Sequence, residues 1–391
     1  MSTFIRIALT GALLFKALSA PAQQYPDLGR HARQAPDSLR YSLSQLVDYL
    51  SAPARTEQEK AFSLYTWLTH TITYDEEASR QGRRINQSFE DILRRSKGIC
   101  FDYALLYAEL CRRAGLRCVP ISGYSRQGLE AMELPPTPDH AWNAIFLDGE
   151  WQLADPTWGA FPGQDAFSLR YGVGYFLTPP QLFILNHLPA LPMWQLLPCP
   201  VTAEQFSRPA ESLSTLIERA SPCYHYSDTI QAFLQLTEEE QRREEAEHTY
   251  RFHSTEDNQK AWAQAIIDYA VHLSEQGAMF QEADSLEAFL ELQQEAIRLT
   301  RKAGELTPLL PWQIEFFTGL LINQAVALNQ QSDKVETPQR ELALLKDAQQ
   351  YLESARKALL SLPEDNYYRQ YAEQQCQAYQ EVIQYNIERL E

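Results

Sequence analysis

The chain has 391 residues, of which 45% are hydrophobic and 22% are charged, and its formal net charge is −17. These values are ordinary for a folded protein of two or three domains, and they exclude a collagen-like fibre, a disordered tail and a small disulfide scaffold. The acidic balance leaves no basic patch large enough to follow a phosphate backbone, so we expect no nucleic acid as a partner.

The first 22 residues are typical of a secretory signal peptide. Arg6 precedes an apolar run over 7–15, and Ala20-Pro21-Ala22 supplies the small residues of a cleavage site. The run is shorter than the ~20 apolar residues of a membrane-spanning helix. We therefore predict a signal peptide over 1–22, export to the periplasm or beyond the cell, and no stable membrane anchor.

The composition of the chain changes near residue 200. Twelve of the 15 Gly and sixteen of the 22 Pro precede residue 201, whereas 32 of the 51 acidic residues follow residue 200. This change predicts a loop-rich domain over 23–198 and an acidic α-helical domain over 199–391, either a bundle or a short array of helical hairpins. Apolar periodicity places helices of the second domain at about 261–276 (ending at Gly277), 286–301, 311–328, 340–360 and 367–390.

The segment around Cys100 predicts a helix that begins at a cysteine. Apolar residues recur at helical spacing from 101 to 111, Gly98 marks the turn into the helix, and Gly115 suits its C-terminal end. A helix N-terminus favours the thiolate, which is the reactive form of cysteine. A cysteine beside apolar residues is also commonly a packing residue, so this segment alone leaves both roles open.

Residues 140–155 predict a β-hairpin that brings His140 next to Asp155. A two-residue turn signal at 148–149 separates two apolar strands, and the register it imposes makes His140 and Asp155 diagonal neighbours on the buried face. Each group is costly to bury unpaired, which gives the pairing a physical reason. We expect the helix of Cys100 to pack on this same face, where Asp155 would fix the tautomer of His140 and His140 would take the thiol proton.

Three motifs in this region resemble those of the transglutaminase-like superfamily. They are Gly98-Ile99-Cys100, His140-Ala141-Trp142-Asn143 and Asp155-Pro156-Thr157-Trp158-Gly159, in that order. Upstream, Ile72-Thr73-Tyr74-Asp75 resembles the segment before the catalytic cysteine of bacterial members. The tail over 175–197 resembles the subgroup similar to kyphoscoliosis peptidase, so the resemblance covers about residues 40–198.

The resemblance implies an α+β fold with a papain-like transglutaminase core, in which a helix bearing the cysteine packs against an antiparallel sheet. It implies Cys100 as the nucleophile, His140 as general base and acid, and Asp155 as the orienting carboxylate. Many animal transglutaminases have Trp where this chain has Phe101, which argues against assuming cross-linking activity. We expect no cofactor and no metal ion, since no acidic cluster resembles an EF-hand calcium loop.

Two hypotheses of different class follow from these observations. The first is an exported thiol enzyme that acts on peptide or side-chain amides of a protein or peptide substrate through an acyl-enzyme, with hydrolysis favoured over cross-linking. The alternative is a non-catalytic binding or scaffold protein that retains the transglutaminase-like fold. The helical domain favours the alternative, because it supplies more surface than a small hydrolase requires and leaves room for a protein partner.

The remaining cysteines and histidines carry less information. The six cysteines are even in number, but their spacing leaves the disulfide pairing open. No spacing among them is typical of a zinc site. We interpret His187 and Trp194 as packing residues at the end of the first domain.

Overall fold

The computed structural model describes residues 25–81, 88–161, 174–282 and 285–391. The predicted signal peptide over 1–22 lies outside them. The chain divides into two compact units, Met1–Phe233 and Leu234–Glu391. Within the described ranges, no helix combines the length and the apolar character needed to cross a bilayer.

The first unit begins with helices that surround one central helix. They are α1 (Pro26–Arg33), α2 (Leu43–Ser51), α3 (Glu57–Thr71), α4 (Glu76–Arg80), α5 (Phe89–Arg95) and α6 (Cys100–Arg113), with a 3-10 helix at Asp37–Tyr41. The central helix is α3, which is buried from Ala61 to Leu68 because α1, α2 and α6 pack against it. Its start is fixed by Thr56, whose hydroxyl accepts a hydrogen bond from the backbone N–H of Glu59 at 3.1 Å.

Within the described ranges, seven strands form a small parallel pair and a larger antiparallel sheet. They are β1 (Thr73–Tyr74), β2 (Lys97–Gly98), β3 (Arg117–Ser125), β4 (His140–Leu147), β5 (Glu150–Ala154), β6 (Phe176–Thr178) and β7 (His187–Pro189). The pair is β1-β2, and the antiparallel sheet has the order β6-β5-β4-β3-β7. The predicted hairpin register is confirmed, since Leu147 pairs with Glu150 and both turn residues between them have positive φ.

The helix α6 packs on the face of the sheet opposite to the predicted one. Asn143 lies on that face, is fully buried, and donates from Nδ2 to the carbonyl oxygen of Ala104 at 2.9 Å. Ile145 and Leu147 point the same way and join the core that α6 completes. The predicted face was wrong because β4 is buried on both sides, so the alternation of apolar residues did not distinguish them.

The face that carries Trp142 is covered by the tail of the same unit. Here lie α8 (Pro180–Phe183) and a 3-10 helix at Pro192–Gln195, which follow the short helix α7 (Pro156–Gly159) that contacts α3 and α6. The ring of Trp142 packs 5.9 Å from that of Phe183, and Trp151 packs edge-on against Trp194 at 5.3 Å. The tail therefore forms the second layer over the sheet and contributes its two edge strands, β6 and β7.

The first unit extends past the predicted boundary at residue 198. It includes α9 (Ala203–Phe206), α10 (Ala210–Arg219) and α11 (Tyr226–Phe233). A disulfide joins Cys199 to Cys223, and the buried Arg126 holds its guanidinium 4.4 Å above the ring of Phe206. The change in composition near residue 200 marks where the chain becomes helical and not where the first unit ends.

In the second unit, the described residues form only helices and turns. The helices are α12 (Glu238–Phe252), α13 (Glu256–Glu282), α14 (Leu286–Leu306), α15 (Pro311–Ser332), α16 (Pro338–Leu359) and α17 (Tyr367–Leu390), each packed against its neighbours in sequence. The expected end of one helix at Gly277 is wrong, because α13 continues beyond it. Gly277 lies against Phe289 and Leu292 of α14, and this packing outweighs the roughly 1 kcal/mol that a glycine costs inside a helix.

Candidate active site

The position of Cys100 is set by the parallel pair that precedes it. β1 pairs with β2, so that Thr73 lies opposite Lys97 and Tyr74 opposite Gly98. The next backbone N–H, that of Asp75, donates to the carbonyl oxygen of Gly98 at 2.9 Å. The two segments picked out in the sequence are therefore adjacent strands, and Cys100 follows the second of them as the first residue of α6.

Asp102 closes the start of α6. Its carboxylate accepts a hydrogen bond from the backbone N–H of Ile99 at 2.8 Å, in the first turn of the helix, where N–H groups lack intrahelical acceptors. Burial raises the pKa of Asp102, and this hydrogen bond opposes the rise. A Cβ at Gly98 would lie 2.7 Å from Cβ of Asp102, so the glycine before the cysteine lets the carboxylate fold back over the helix end.

Asp155 lies just beyond β5 and caps the short helix α7. The predicted hairpin included Asp155 in its second strand, but the strand ends at Ala154 and Asp155 lies outside it. Its Oδ1 accepts hydrogen bonds from the backbone N–H groups of Thr157 and Trp158, at 2.7 and 3.1 Å. Its carbonyl oxygen accepts a hydrogen bond of 3.0 Å from the hydroxyl of Tyr65 on α3.

His140 and Asp155 form a buried pair. The Nε2 atom of His140 lies 2.8 Å from Oδ2 of Asp155, and the two residues are 4% and 0% exposed. Burial lowers the pKa of His140, but the Asp155 carboxylate and its hydrogen bond raise it to about 10. Burial raises the pKa of Asp155, but His140 and His187 hold it well below its usual range. Each member of the pair therefore favours the charged form of the other.

The structure brings all three predicted residues together. The side chain of Cys100 lies near enough to His140 to contribute to the rise of the histidine pKa. Cys100 is the first residue of α6, and His140 is the first residue of β4. Cys100 is itself 6% exposed, so the three groups meet in a nearly water-free environment, where electrostatic interactions are strong.

His187 is the residue of this site that the sequence did not reveal. It is fully buried, and its Nε2 lies 3.0 Å from Oδ2 of Asp155, the same oxygen that faces His140. The interpretation of His187 as a packing residue is therefore incomplete. A short strand with a histidine, 32 residues from the carboxylate, gave no local signal of this contact.

His140, Asp155 and His187 are also the cluster, among the described residues, with ligand atoms close enough to hold a metal ion, all within 4.8 Å of one another. Their separations of 2.8 and 3.0 Å are ordinary hydrogen-bond lengths between imidazole N–H groups and a carboxylate. The hydrogen bonds by themselves satisfy the buried groups, so proton sharing accounts for the cluster.

An antiparallel sheet with a helix that begins at a cysteine, beside a buried histidine–carboxylate pair, defines the architecture of a papain-like α+β core. Comparison with known families agrees, since residues 44–156 match the model described as the transglutaminase-like superfamily. These residues belong to that superfamily. The predicted subgroup is supported as well, since human and mouse kyphoscoliosis peptidase are each 37% identical to about half of this chain.

The relatives match about half of this chain. Human kyphoscoliosis peptidase is 37% identical over 198 residues, which are 49% of this chain and 29% of that protein. The Lim and transglutaminase domain protein ltd-1 of Caenorhabditis elegans is 32% identical over 187 residues, 43% of this chain and 25% of that protein. The chain thus spans less than a third of the length of either relative. A solved structure titled as a putative cysteine protease from Cytophaga hutchinsonii covers 30% of this chain and 39% of its own, with 21% identity and a TM-score of 0.25.

Proposed function

We propose that this protein is an exported thiol enzyme that acts on peptide or side-chain amides through an acyl-enzyme, with Cys100 as nucleophile. The observation that carries the proposal is the buried His140–Asp155 hydrogen bond beside Cys100, whose side chain contributes to the raised pKa of that imidazole. Such an arrangement activates a nucleophile and fixes the orientation of its base.

Each of the three residues has a defined part in the proposed reaction. His140 takes the proton of the Cys100 thiol as the sulfur bonds to the amide carbonyl carbon, and gives that proton to the departing amine as the C–N bond breaks. A water molecule then attacks the thioester while His140 takes its proton, and His140 returns that proton to the sulfur as the S–C bond breaks, which releases the acid and restores the thiol. Asp155 keeps Nε2 of His140 protonated, so that Nδ1 is the nitrogen left to exchange the proton with the sulfur.

Hydrolysis is the favoured outcome of the acyl-enzyme. An amine in place of water would make the same chain a cross-linking enzyme. The presence of Phe101 directly after the cysteine, in place of the Trp of many animal transglutaminases, argues against assuming cross-linking activity. The substrate is a protein or peptide, and we retain the prediction that the helical unit offers a surface to a protein partner.

Export is supported by the disulfide between Cys199 and Cys223, because disulfides persist in oxidising compartments such as the periplasm and the extracellular space. The signal-like residues 1–22 point to the same location. Mass spectrometry of the protein in culture fractions tests both features. A mature N-terminus at residue 23 and an oxidised Cys199–Cys223 pair are expected, and a reduced cytoplasmic protein that keeps Met1 would contradict export.

The thiol chemistry is tested by the rate at which iodoacetamide labels Cys100 as a function of pH, followed on its peptide by mass spectrometry. We expect fast labelling at pH 6 in the wild type and its loss in His140→Ala, whereas an ordinary thiol labels with a midpoint near ~8.5. Cys376 is the internal control in the same chain, since burial raises its pKa to about 11. The matched variant is His70→Ala, which removes an exposed histidine of the same unit.

Incubation of the enzyme with a denatured protein mixture then distinguishes hydrolysis from acyl transfer by the products that form. New amino termini or released ammonia that disappear in Cys100→Ala indicate hydrolysis, and incorporation of a fluorescent primary amine indicates acyl transfer. Equal, slow labelling of Cys100 in the wild type and His140→Ala, with no product, would overturn the proposal and favour a non-catalytic binding protein on this fold.

A further inference from the structure

His187 donates the second imidazole hydrogen bond to Asp155. The pKa of Asp155 lies well below its usual range, so the carboxylate is ionised at neutral pH and has no proton to give. The Nε2 atoms of His140 and His187, at 2.8 and 3.0 Å from Oδ2, must therefore both carry the proton of their hydrogen bonds. Oδ2 of Asp155 thus accepts a hydrogen bond from each of the two histidines.

All the acceptor positions of Asp155 are then occupied. Oδ1 accepts from the backbone N–H groups of Thr157 and Trp158, and Oδ2 accepts from His140 and His187. A carboxylate has about two lone-pair sites on each oxygen, so these four donors fill it. The carboxylate consequently has one orientation in which all four hydrogen bonds are formed.

The ring of His187 is itself rigidly held. Its Nδ1 lies 2.7 Å from Oδ1 of Asn186, and Nδ2 of Asn186 donates to the hydroxyl of Tyr175 at 3.1 Å. The ring stacks on Phe183 with 4.1 Å between centroids, and its backbone pairs with Ser125 in the sheet. Because the ring of His187 is held by these contacts, its hydrogen bond restricts the orientation of the Asp155 carboxylate.

We propose that His187 is a positioning residue of the active site, which fixes the Asp155 carboxylate so that Oδ2 faces His140, and which acts on Cys100 only through that carboxylate. The inference rests on the proposed thiol chemistry. Without the His187 donor, Oδ2 is held from one side only, and the orientation that supports the imidazolium of His140 beside the thiolate is occupied for less of the time.

Three variants separate positioning from packing. His187→Phe keeps an aromatic ring in the stack and removes the donor, His187→Gln restores an N–H donor, and Phe183→Leu alters the stack without touching a polar atom of Asp155. We expect His187→Phe to slow the alkylation of Cys100 at pH 6 by about tenfold and to raise its midpoint by about one pH unit, the effect of one hydrogen bond to a charged group. His187→Gln and Phe183→Leu should stay close to the wild-type rate, and tryptophan fluorescence verifies that each variant is folded.

A double-mutant cycle with Asp155→Asn tests the route of the effect. Because His187 is proposed to act through the carboxylate, His187→Phe should add no further slowing to Asp155→Asn. Additive slowing, or a midpoint that falls in His187→Phe, would overturn the inference, the latter because it would mean that the two histidines compete for Oδ2. Stoichiometric zinc in the purified protein that is lost with His187→Phe would overturn it as well.

The same experiment distinguishes the two proposals. A wild type that labels rapidly at pH 6 while His187→Phe is unchanged refutes the positioning role and leaves the thiol enzyme standing. A wild type that labels as an ordinary thiol refutes both.

Discussion

Gly159 is predicted to be irreplaceable because it faces the hydroxyl that holds Asp155. A Cβ at this position would lie 1.7 Å from Oη of Tyr65 and 2.5 Å from its Cζ. The ring of Tyr65 has little room to move, since it is buried and its centroid lies 5.9 Å from that of Tyr107 and 5.0 Å from that of Phe176. Gly159→Ala therefore displaces a packed ring and breaks the hydrogen bond from Tyr65 to the Asp155 carbonyl oxygen.

The expected loss of stability follows from these two effects. The broken hydrogen bond costs about 1 kcal/mol. The forced repacking costs about 1–3 kcal/mol. We therefore expect Gly159→Ala to lower the free energy of unfolding of the first unit by about 2–4 kcal/mol, with slower alkylation of Cys100 because Asp155 moves.

Urea unfolding followed by tryptophan fluorescence measures this loss, because five of the seven Trp residues precede Leu234. Gly128→Ala is the control, since a Cβ there meets its nearest atom only at 4.0 Å. In a Tyr65→Phe background the shortest contact is absent, so the cost of Gly159→Ala should be smaller. A loss below ~1 kcal/mol in the wild-type background, or an equal cost in both backgrounds, would refute the reasoning.

Three further predictions concern the stability of the first unit. The His140–Asp155 pair should stabilise the first unit most between pH ~4 and ~6.5. Because the pKa of His140 is raised, its contribution to the free energy of unfolding is lost as the pH rises from ~6.5 towards about 10. Because the pKa of Asp155 is lowered, its contribution is lost as the pH falls below ~4. Urea unfolding of the wild type and Asp155→Asn at pH 5, 7 and 9 measures the difference, and a difference that grows with pH contradicts this sign. Replacing Cys199 and Cys223 by Ser opens a disulfide with a sequence separation of 24 and should cost about 3 kcal/mol; an unchanged urea midpoint would show that the disulfide adds nothing. Asp102→Ala removes the cap of α6 and should cost about 1 kcal/mol and slow thiol labelling, whereas unchanged labelling would mean that the cap does not place the cysteine.

The elements of the candidate site that depend on neighbouring residues were predictable from the sequence. The hairpin register follows from Asp148 and Gly149, because both adopt the positive φ that a tight two-residue turn requires. The helix that begins at Cys100 follows from the apolar spacing and from the glycine before it. Most helices of the second unit followed in the same way, and α17 has the predicted bounds.

The elements that depend on distant contacts were not predictable. Apolar alternation cannot say which side of β4 receives α6 when both sides are buried, and the side is decided by the tail that returns over Trp142. Composition placed a boundary near residue 198, but the disulfide and the packing of Phe206 hold the next helices in the first unit. The end of α13 was also decided by packing, since Gly277 faces the next helix.

The amino-acid sequence by itself determined the family of the core and predicted the three residues of the candidate triad, because each motif is short and its chemistry is carried by residues close together in the chain. Only the tertiary structure decided how they are supported. It made Asp155 a helix cap rather than a strand residue, and it brought in His187 as a second donor from 32 positions away. The physical reason is that a buried carboxylate must find enough donors to stay charged, and the chain supplies them from whichever segments folding brings to it.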